Sequence, residues 1–176
     1  MDRGNITEDS WVIISHKHRF IFIKTNKTAG TSIEIALSRF CGYDDVITPI
    51  GRDEIIRRHL TSRVAQNYKL PYSKYTLLDW AWSIYNLKGL RFTQHCSAQR
   101  IKKYIGENIW NNYHKFCFER NPWDRVISLY YWVYKTEPRP SIAEFLDSDI
   151  PQRLKKRGYY NYTIGGGNCS RPCLPV

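Results

Sequence analysis

An α/β fold is predicted for this chain: a single domain with a P-loop-like parallel sheet flanked by helices. Three observations carry that expectation. Two short apolar runs, at residues 20–23 and 115–119, read as strands buried on both faces. Each is followed by a segment with helix-start signals. Strands that alternate with helices build parallel sheets, and ligands then sit at the carboxyl ends of the strands. The length of 176 residues suits one domain with its own core, and no internal repeat is visible.

The first strand expected is Phe-Ile-Phe-Ile at residues 20–23, and His16 and His18 read as solvated loop residues ahead of it. Residues 31–40 read as a helix, because Ile33, Ala36, Leu37 and Phe40 recur at i, i+3, i+4, i+7. Helical phase sets Glu34 off that face, as a surface residue. Residues 52–60 have helical character. Pro71 breaks the chain, and residues 76–87 are aromatic-rich and compatible with helix or strand. From Ser97 an apolar stripe of Ala98, Ile101, Tyr104 and Ile105 predicts a helix ended by Gly106. A short helix over 107–113 and an interior strand over 115–119 follow. Asn121, Pro122 and Asp124 then supply an N-cap, a first-turn proline and a first-turn acid for a helix running to Tyr134. Ser141 and Glu144 form a capping box for another.

Hydrophobic residues make up 42% and aromatics 15%, which excludes a disordered chain. The formal net charge of +11 fits a solvated basic surface as well as it fits a polyanionic partner: nucleotide, nucleic acid or acidic polysaccharide. Charge alone does not separate these. Basic and aromatic residues are not interleaved in a recurring pattern, so no nucleic-acid partner is expected. No apolar run approaches the ~20 residues of a membrane span. The first ten residues hold no apolar h-region, so no membrane span and no secretory signal are expected. Five cysteines occur without paired-CxxC spacing, so no metal site is expected. Cys41, Cys96 and Cys117 read as small core residues, while Cys169 and Cys173 sit in a Gly/Pro-rich tail. A reducing cytoplasm is the simplest fit.

The turn after the first strand has the chemistry of an anion cradle. Ala29 and Gly30 let backbone approach closely, and Thr31 and Ser32 offer hydroxyls and helix N–H groups. Lys27 supplies a mobile positive charge. A glycan on the sequon Asn26-Lys27-Thr28 would obstruct the loop, which again fits a cytoplasmic protein. The ATPase loop requires G-x-x-x-x-G-K-S/T. Here the first Gly is missing and the Lys precedes the Gly, so ATP is not the natural ligand. Downstream, Arg120 ends a strand and Ser128 lies two helical turns past the Asn121 cap. A guanidinium and a hydroxyl so placed can grip one phosphate. The same residues also read as a capped helix with Arg120 in an ion pair.

Taken together, K-T-A-G-T-S after a strand and F-x-F-E-R-N-P-W-D-R-V-I-S-L-Y closely resemble the sulfotransferases that use 3′-phosphoadenosine 5′-phosphosulfate (PAPS). The resemblance is best to the branch of carbohydrate O-sulfotransferases and their bacterial, especially cyanobacterial, relatives, and spans roughly residues 12–165. It implies transfer of a sulfuryl group from PAPS to a hydroxyl of a carbohydrate or related acceptor, with release of 3′,5′-ADP and without a metal. It implies that Lys27, Thr28, Ala29, Gly30, Thr31 and Ser32 bind the 5′-phosphosulfate, and that Arg120 and Ser128 bind the 3′-phosphate. Lys27 is implied as catalytic. His95, in His-Cys-Ser-Ala, resembles a histidine of this branch that is a candidate general base; His59 and His114 are weaker candidates.

The acceptor is open. Trp80, Trp82, Trp123, Trp132, Tyr130 and Tyr131 can stack on sugars, and core packing explains them equally well. Lys135, Arg139, Lys155, Lys156 and Arg157 can attract an acidic polysaccharide or form a solvated face. Two departures from the family pattern stand out. Asn26 replaces a common Pro, and after a sulfotransferase-like domain over residues 1–164 the chain reads as an irregular tail, 165–176, where relatives continue with a strand and a helix. The alternative reading is therefore a catalytically impaired protein that binds nucleotide or polyanion on the same fold.

Overall fold

The chain enters the sheet as a hairpin. A computed structural model, which describes residues 12–87, 89–92 and 97–151, pairs Val12–Ser15 (β1) with Phe20–Ile23 (β2) in antiparallel register, Val12 opposite Ile23 and Ser15 opposite Phe20. Val46–Ile47 (β3) pairs antiparallel with β1, and His114–Phe116 (β4) pairs parallel with β2. The strand order is β3-β1-β2-β4.

The sheet is therefore mixed and not uniformly parallel. Only residues 16–19 separate β1 from β2, far too few for the crossover that parallel neighbours require. The strand at residues 20–23 is also the second of the sheet, not the first. His16 and His18 lie in the hairpin turn, and His16 is partly buried with its Nδ1 2.8 Å from the Tyr113 hydroxyl. The β2–β4 pair keeps the expected parallel sense. β4 begins one residue earlier than predicted and ends at Phe116, so Arg120 stands in the connection beyond it.

Period-two alternation splits the strands between two cores. Val12, Ile14, Ile21 and Ile23 face one side, where they pack with Ala98, Ile101, Tyr104, Ile105 and Trp110. Those residues come from Ala98–Ile105 and Glu107–Asn112, helices that follow the fold's first three. Ile13 and Phe22 face the other side with Cys41, Ile47, Ile33 and Leu37. That side is covered by Gly30–Ser38 (α1), which itself packs against Glu54–Thr61 (α2). Leu77–Asn86 (α3) is held by a Thr76/Asp79 capping box, while Leu77 and Tyr85 are each 89% exposed. The Ala98–Ile105 helix (α4) is capped by Ser97 and ends at Gly106, and Glu107–Asn112 (α5) follows directly. Pro122–Val133 (α6) and Ile142–Asp147 (α7) form a third cluster around Leu129, Tyr130 and Phe145.

One helix face differs from its expectation. Ala36 and Phe40 of the predicted apolar stripe are exposed, whereas Gly30, Glu34, Ile35 and Ser38 are buried. The cause is α2. It covers a second flank of α1, so Glu34 is fully buried against Arg57 and is not a surface residue. Cys41 and Cys117 are both buried, as expected for core cysteines. Cys96, Cys169, Cys173, His95 and the tail 165–176 lie outside the described residues. Among the described residues no helix is long and apolar enough to cross a membrane.

Candidate functional site

Because β2 and β4 are parallel neighbours, their following loops leave the sheet at the same edge. A side-chain bond ties the two exits together: the Thr25 hydroxyl donates to the Phe118 carbonyl. The Thr28 hydroxyl donates to the Thr25 carbonyl at 3.0 Å and lies 3.0 Å from the Thr25 hydroxyl, closing the turn from inside. The side chain of Thr28 therefore serves the loop's own shape.

The backbone of this loop is held in an unusual path. Lys27 (φ 62°) and Ala29 (φ 58°) both occupy the left-handed region. For residues with a Cβ that conformation costs on the order of 1–2 kcal/mol each. Such alternation turns successive N–H groups toward one concavity, the geometry of anion-binding nests. The loop runs into α1, whose N-terminus carries no side-chain cap; the Ala29 carbonyl merely accepts from the Ile33 N–H at 3.2 Å. The first-turn N–H groups thus present the positive end of the helix dipole without a partner side chain.

The concavity is a cavity of about 290 Å³ lined by residues 24–32 together with Arg120 and Ser128. That volume lies near the lower end for small-molecule sites. Among the described residues its lining holds Lys24, Lys27, Arg120, several hydroxyls and loop backbone, and no carboxylate. Arg120 reaches it from the β4–α6 connection, and Ser128 from α6. In α6 the Asn121 side chain accepts from the Trp123 N–H at 3.0 Å and Pro122 occupies the first turn, as predicted. Arg120 is not seen in an ion pair among the described residues; Glu119 instead faces Arg125 at 3.7 Å.

The cations lie close enough to repel. Burial holds the Lys27 ammonium below the usual lysine range, with Arg120 and Lys135 lowering it further. Its Nζ rests 5.3 Å from the centroid of the Trp132 ring, so α6 also closes over the loop. Like charges gathered around Lys27 form a site whose repulsion is offset when a polyanion arrives.

Of the residues singled out from sequence, Lys27, Thr28, Ala29, Gly30, Thr31, Ser32, Arg120 and Ser128 meet in this one cavity. His95 lies outside the described residues. His59 and His114 are exposed and do not line the cavity. Sequence reasoning missed Lys24 and Thr25, which line it, and the buried pair Glu34–Arg57 behind it. A lysine closing an apolar strand was the only available signal for Lys24. Nothing local marks Arg57 as the partner of Glu34, which lies 23 residues away. Among the described residues no group of three or more His, Cys, Asp or Glu stands together as a metal site would.

Comparison with known proteins adds the family. A family model described as "Sulfotransferase family" matches residues 10–163. An uncharacterized protein of Archaeoglobus fulgidus is 39% identical over 54 residues, which is 30% of this chain and 45% of that protein. The chain thus spans less than half the length of the curated relative it matches. No solved structure matches.

Proposed function

The chain belongs to the sulfotransferase family, and from that premise we propose that it transfers the sulfuryl group of PAPS to a hydroxyl of a carbohydrate or related acceptor, releasing 3′,5′-ADP. One observation carries this reading: two strand-to-helix turns supply cationic and hydroxyl donors to a single cavity, as a ligand phosphorylated at both ends requires. The donor set fits such a bis-anion. Loop N–H groups, Thr31, Ser32 and Lys27 form one end; Arg120 and Ser128 form the other. A 3′-phosphate is what separates PAPS from ATP, and Arg120 is the natural reader of it.

In the proposed reaction the acceptor oxygen bonds to sulfur in line as the bond from sulfur to the bridging oxygen breaks. The released electron pair stays on that oxygen, which leaves on 3′,5′-ADP. Lys27 neutralises the charge developing there, and the N–H groups at the start of α1 hold the non-bridging oxygens. His95 is proposed, on its sequence position, to take the acceptor proton, a role worth on the order of 10²–10⁴ in rate. The low proton affinity of Lys27 in the free site is raised again by the anion it binds, since opposite charge favours the charged form.

Calorimetry and transfer assays test this directly. The chain should bind 3′,5′-ADP at least tenfold more tightly than 5′-AMP, and should move labelled sulfate from PAPS onto members of a glycan panel that includes acidic polysaccharides. Equal affinity for the two nucleotides would overturn the PAPS assignment. Selective binding of 3′,5′-ADP with no transfer to any hydroxyl would favour the impaired nucleotide-binding protein instead.

A further inference from the structure

Lys24 closes β2 on the inner wall of the cavity and is only 8% exposed. Its stem crosses beneath the first residue of α1. A Cβ on Gly30 would fall 2.4 Å from Lys24 Cγ, 2.7 Å from Cε and 2.9 Å from Cδ, so this glycine makes room for the lysine. The Lys24 ammonium donates to Thr31 Oγ1 at 2.8 Å and stands 3.7 Å from Glu34 Oε2. Glu34 is itself pinned from the far side. Its Oε1 accepts from the Thr48 hydroxyl at 3.1 Å and from Arg57 Nη2 at 3.2 Å. Arg57 also donates to the Thr48 carbonyl at 3.0 Å and to Glu54 at 3.4 Å.

The two carboxylate oxygens are held unequally. Oε1 has two hydrogen bonds, while Oε2, buried and facing Lys24, has none. Lys24 therefore grips the loop hydroxyl firmly and the carboxylate by charge alone. A dianion arriving in the cavity competes with Glu34 for that ammonium on favourable terms.

We propose that Lys24 is a second anion-binding lysine of this loop, held between Thr31 and Glu34 until a sulfate- or phosphate-bearing ligand draws its ammonium into the cavity. The proposal rests on the reading that the 5′ end of the ligand occupies the loop. It gives Gly30, Glu34 and Arg57 a shared purpose: a passage for the lysine stem, a holding carboxylate, and a cation that keeps this carboxylate in place when the ammonium turns away. It also has a proton signature. Burial already pushes Glu34 up to about 7, against the pull of Lys24 and Arg57 and with Glu54 raising it slightly. Loss of Lys24 to the ligand raises it further, so binding takes up a proton. Anion affinity accordingly increases as pH falls toward 7 and levels off once Glu34 is protonated in the free protein.

Titration of the full chain with inorganic sulfate, followed through the amide resonances of residues 25–32 between pH 6 and 9, tests the inference. Sulfate itself does not titrate in this range. Lys24→Met should bind sulfate about tenfold more weakly, as expected for loss of one charge-assisted bond. Glu34→Gln should bind sulfate across this range about as tightly as wild type does once Glu34 is protonated, and so lose the pH dependence near 7; any remaining dependence at higher pH belongs to Lys27. Because Lys24→Met leaves Glu34 half-compensated, the double variant K24M/E34Q provides a folded control and should bind as weakly as Lys24→Met. Wild-type affinity in Lys24→Met or in the double variant would overturn the proposal, as would an unchanged pH profile in Glu34→Gln or wild-type loop amides that do not move with sulfate. Adding 3′,5′-ADP and 5′-AMP to the same series separates the two readings. If sulfate binding depends on Lys24 but the nucleotides bind alike, the PAPS assignment falls and the role of Lys24 stands.

Discussion

The two turns that meet in the cavity solve the same problem in opposite ways. Both follow parallel strands, and both lead into a helix. The β2–α1 turn is built from backbone: Lys27 and Ala29 are left-handed, α1 has no side-chain cap, and the Thr25 and Thr28 hydroxyls are turned inward. The β4–α6 turn is built from side chains: Asn121 caps its own helix, Pro122 fixes the first turn, and the cavity receives Arg120 and Ser128 instead of free N–H groups. An uncapped helix start leaves its donors for a ligand, whereas a capped one has already used part of them. Left-handed backbone is therefore concentrated in the first turn, and a side-chain cap in the second.

The sharpest way to break this comparison is to remove the one side-chain cation proposed to act in chemistry. Lys27→Ala should lower labelled-sulfate transfer by about 10²–10³-fold, the usual cost of deleting a group that stabilises developing charge. Its melting temperature should stay near wild type, because Lys27 is half-buried against like charges and relief of that repulsion offsets lost packing. Near wild-type turnover would remove Lys27 from the reaction. A smaller and more selective effect is expected at the second turn. Arg120→Ala should weaken 3′,5′-ADP about tenfold or more and leave 5′-AMP unchanged, read by calorimetry. Equal losses for both nucleotides would mean that Arg120 does not distinguish the 3′ end. The smallest effect belongs to the cap. Asn121→Ala should cost about 1 kcal/mol of stability in denaturant unfolding. Sulfate affinity at the first turn should not change, and a change there would show that the two turns are coupled through α6.

Much of this architecture was legible in the sequence because its signals are local. The caps at Thr76, Ser97, Asn121 and Ser141 each involve a partner within three residues. Of these, Asn121 and Ser141 are legible as caps from residue type and spacing, whereas Ser97 marks only the start of an apolar stripe in the sequence. Residues 76–87 are ambiguous in sequence because their apolar residues are largely exposed, so no buried stripe imposes a period; the capping box marks where the helix starts. β1 was overlooked because its Val-Ile-Ile-Ser run is as short as β2 and lies only four residues before it. The phase of α1 was misjudged because apolar spacing assumes one buried face, and this helix has two, toward the sheet and toward α2.

The amino-acid sequence by itself determined where helices begin and which residue types stand at the two turns, since caps, prolines and left-handed positions act over a few bonds. Only the tertiary structure decided that the turns share a cavity, that Thr25 reaches Phe118, and that Glu34 is sealed between Lys24 and Arg57. Those contacts join residues as far as 93 positions apart. They depend on which strands pair and which helix covers which, an outcome of packing the whole chain that no short window of residues encodes.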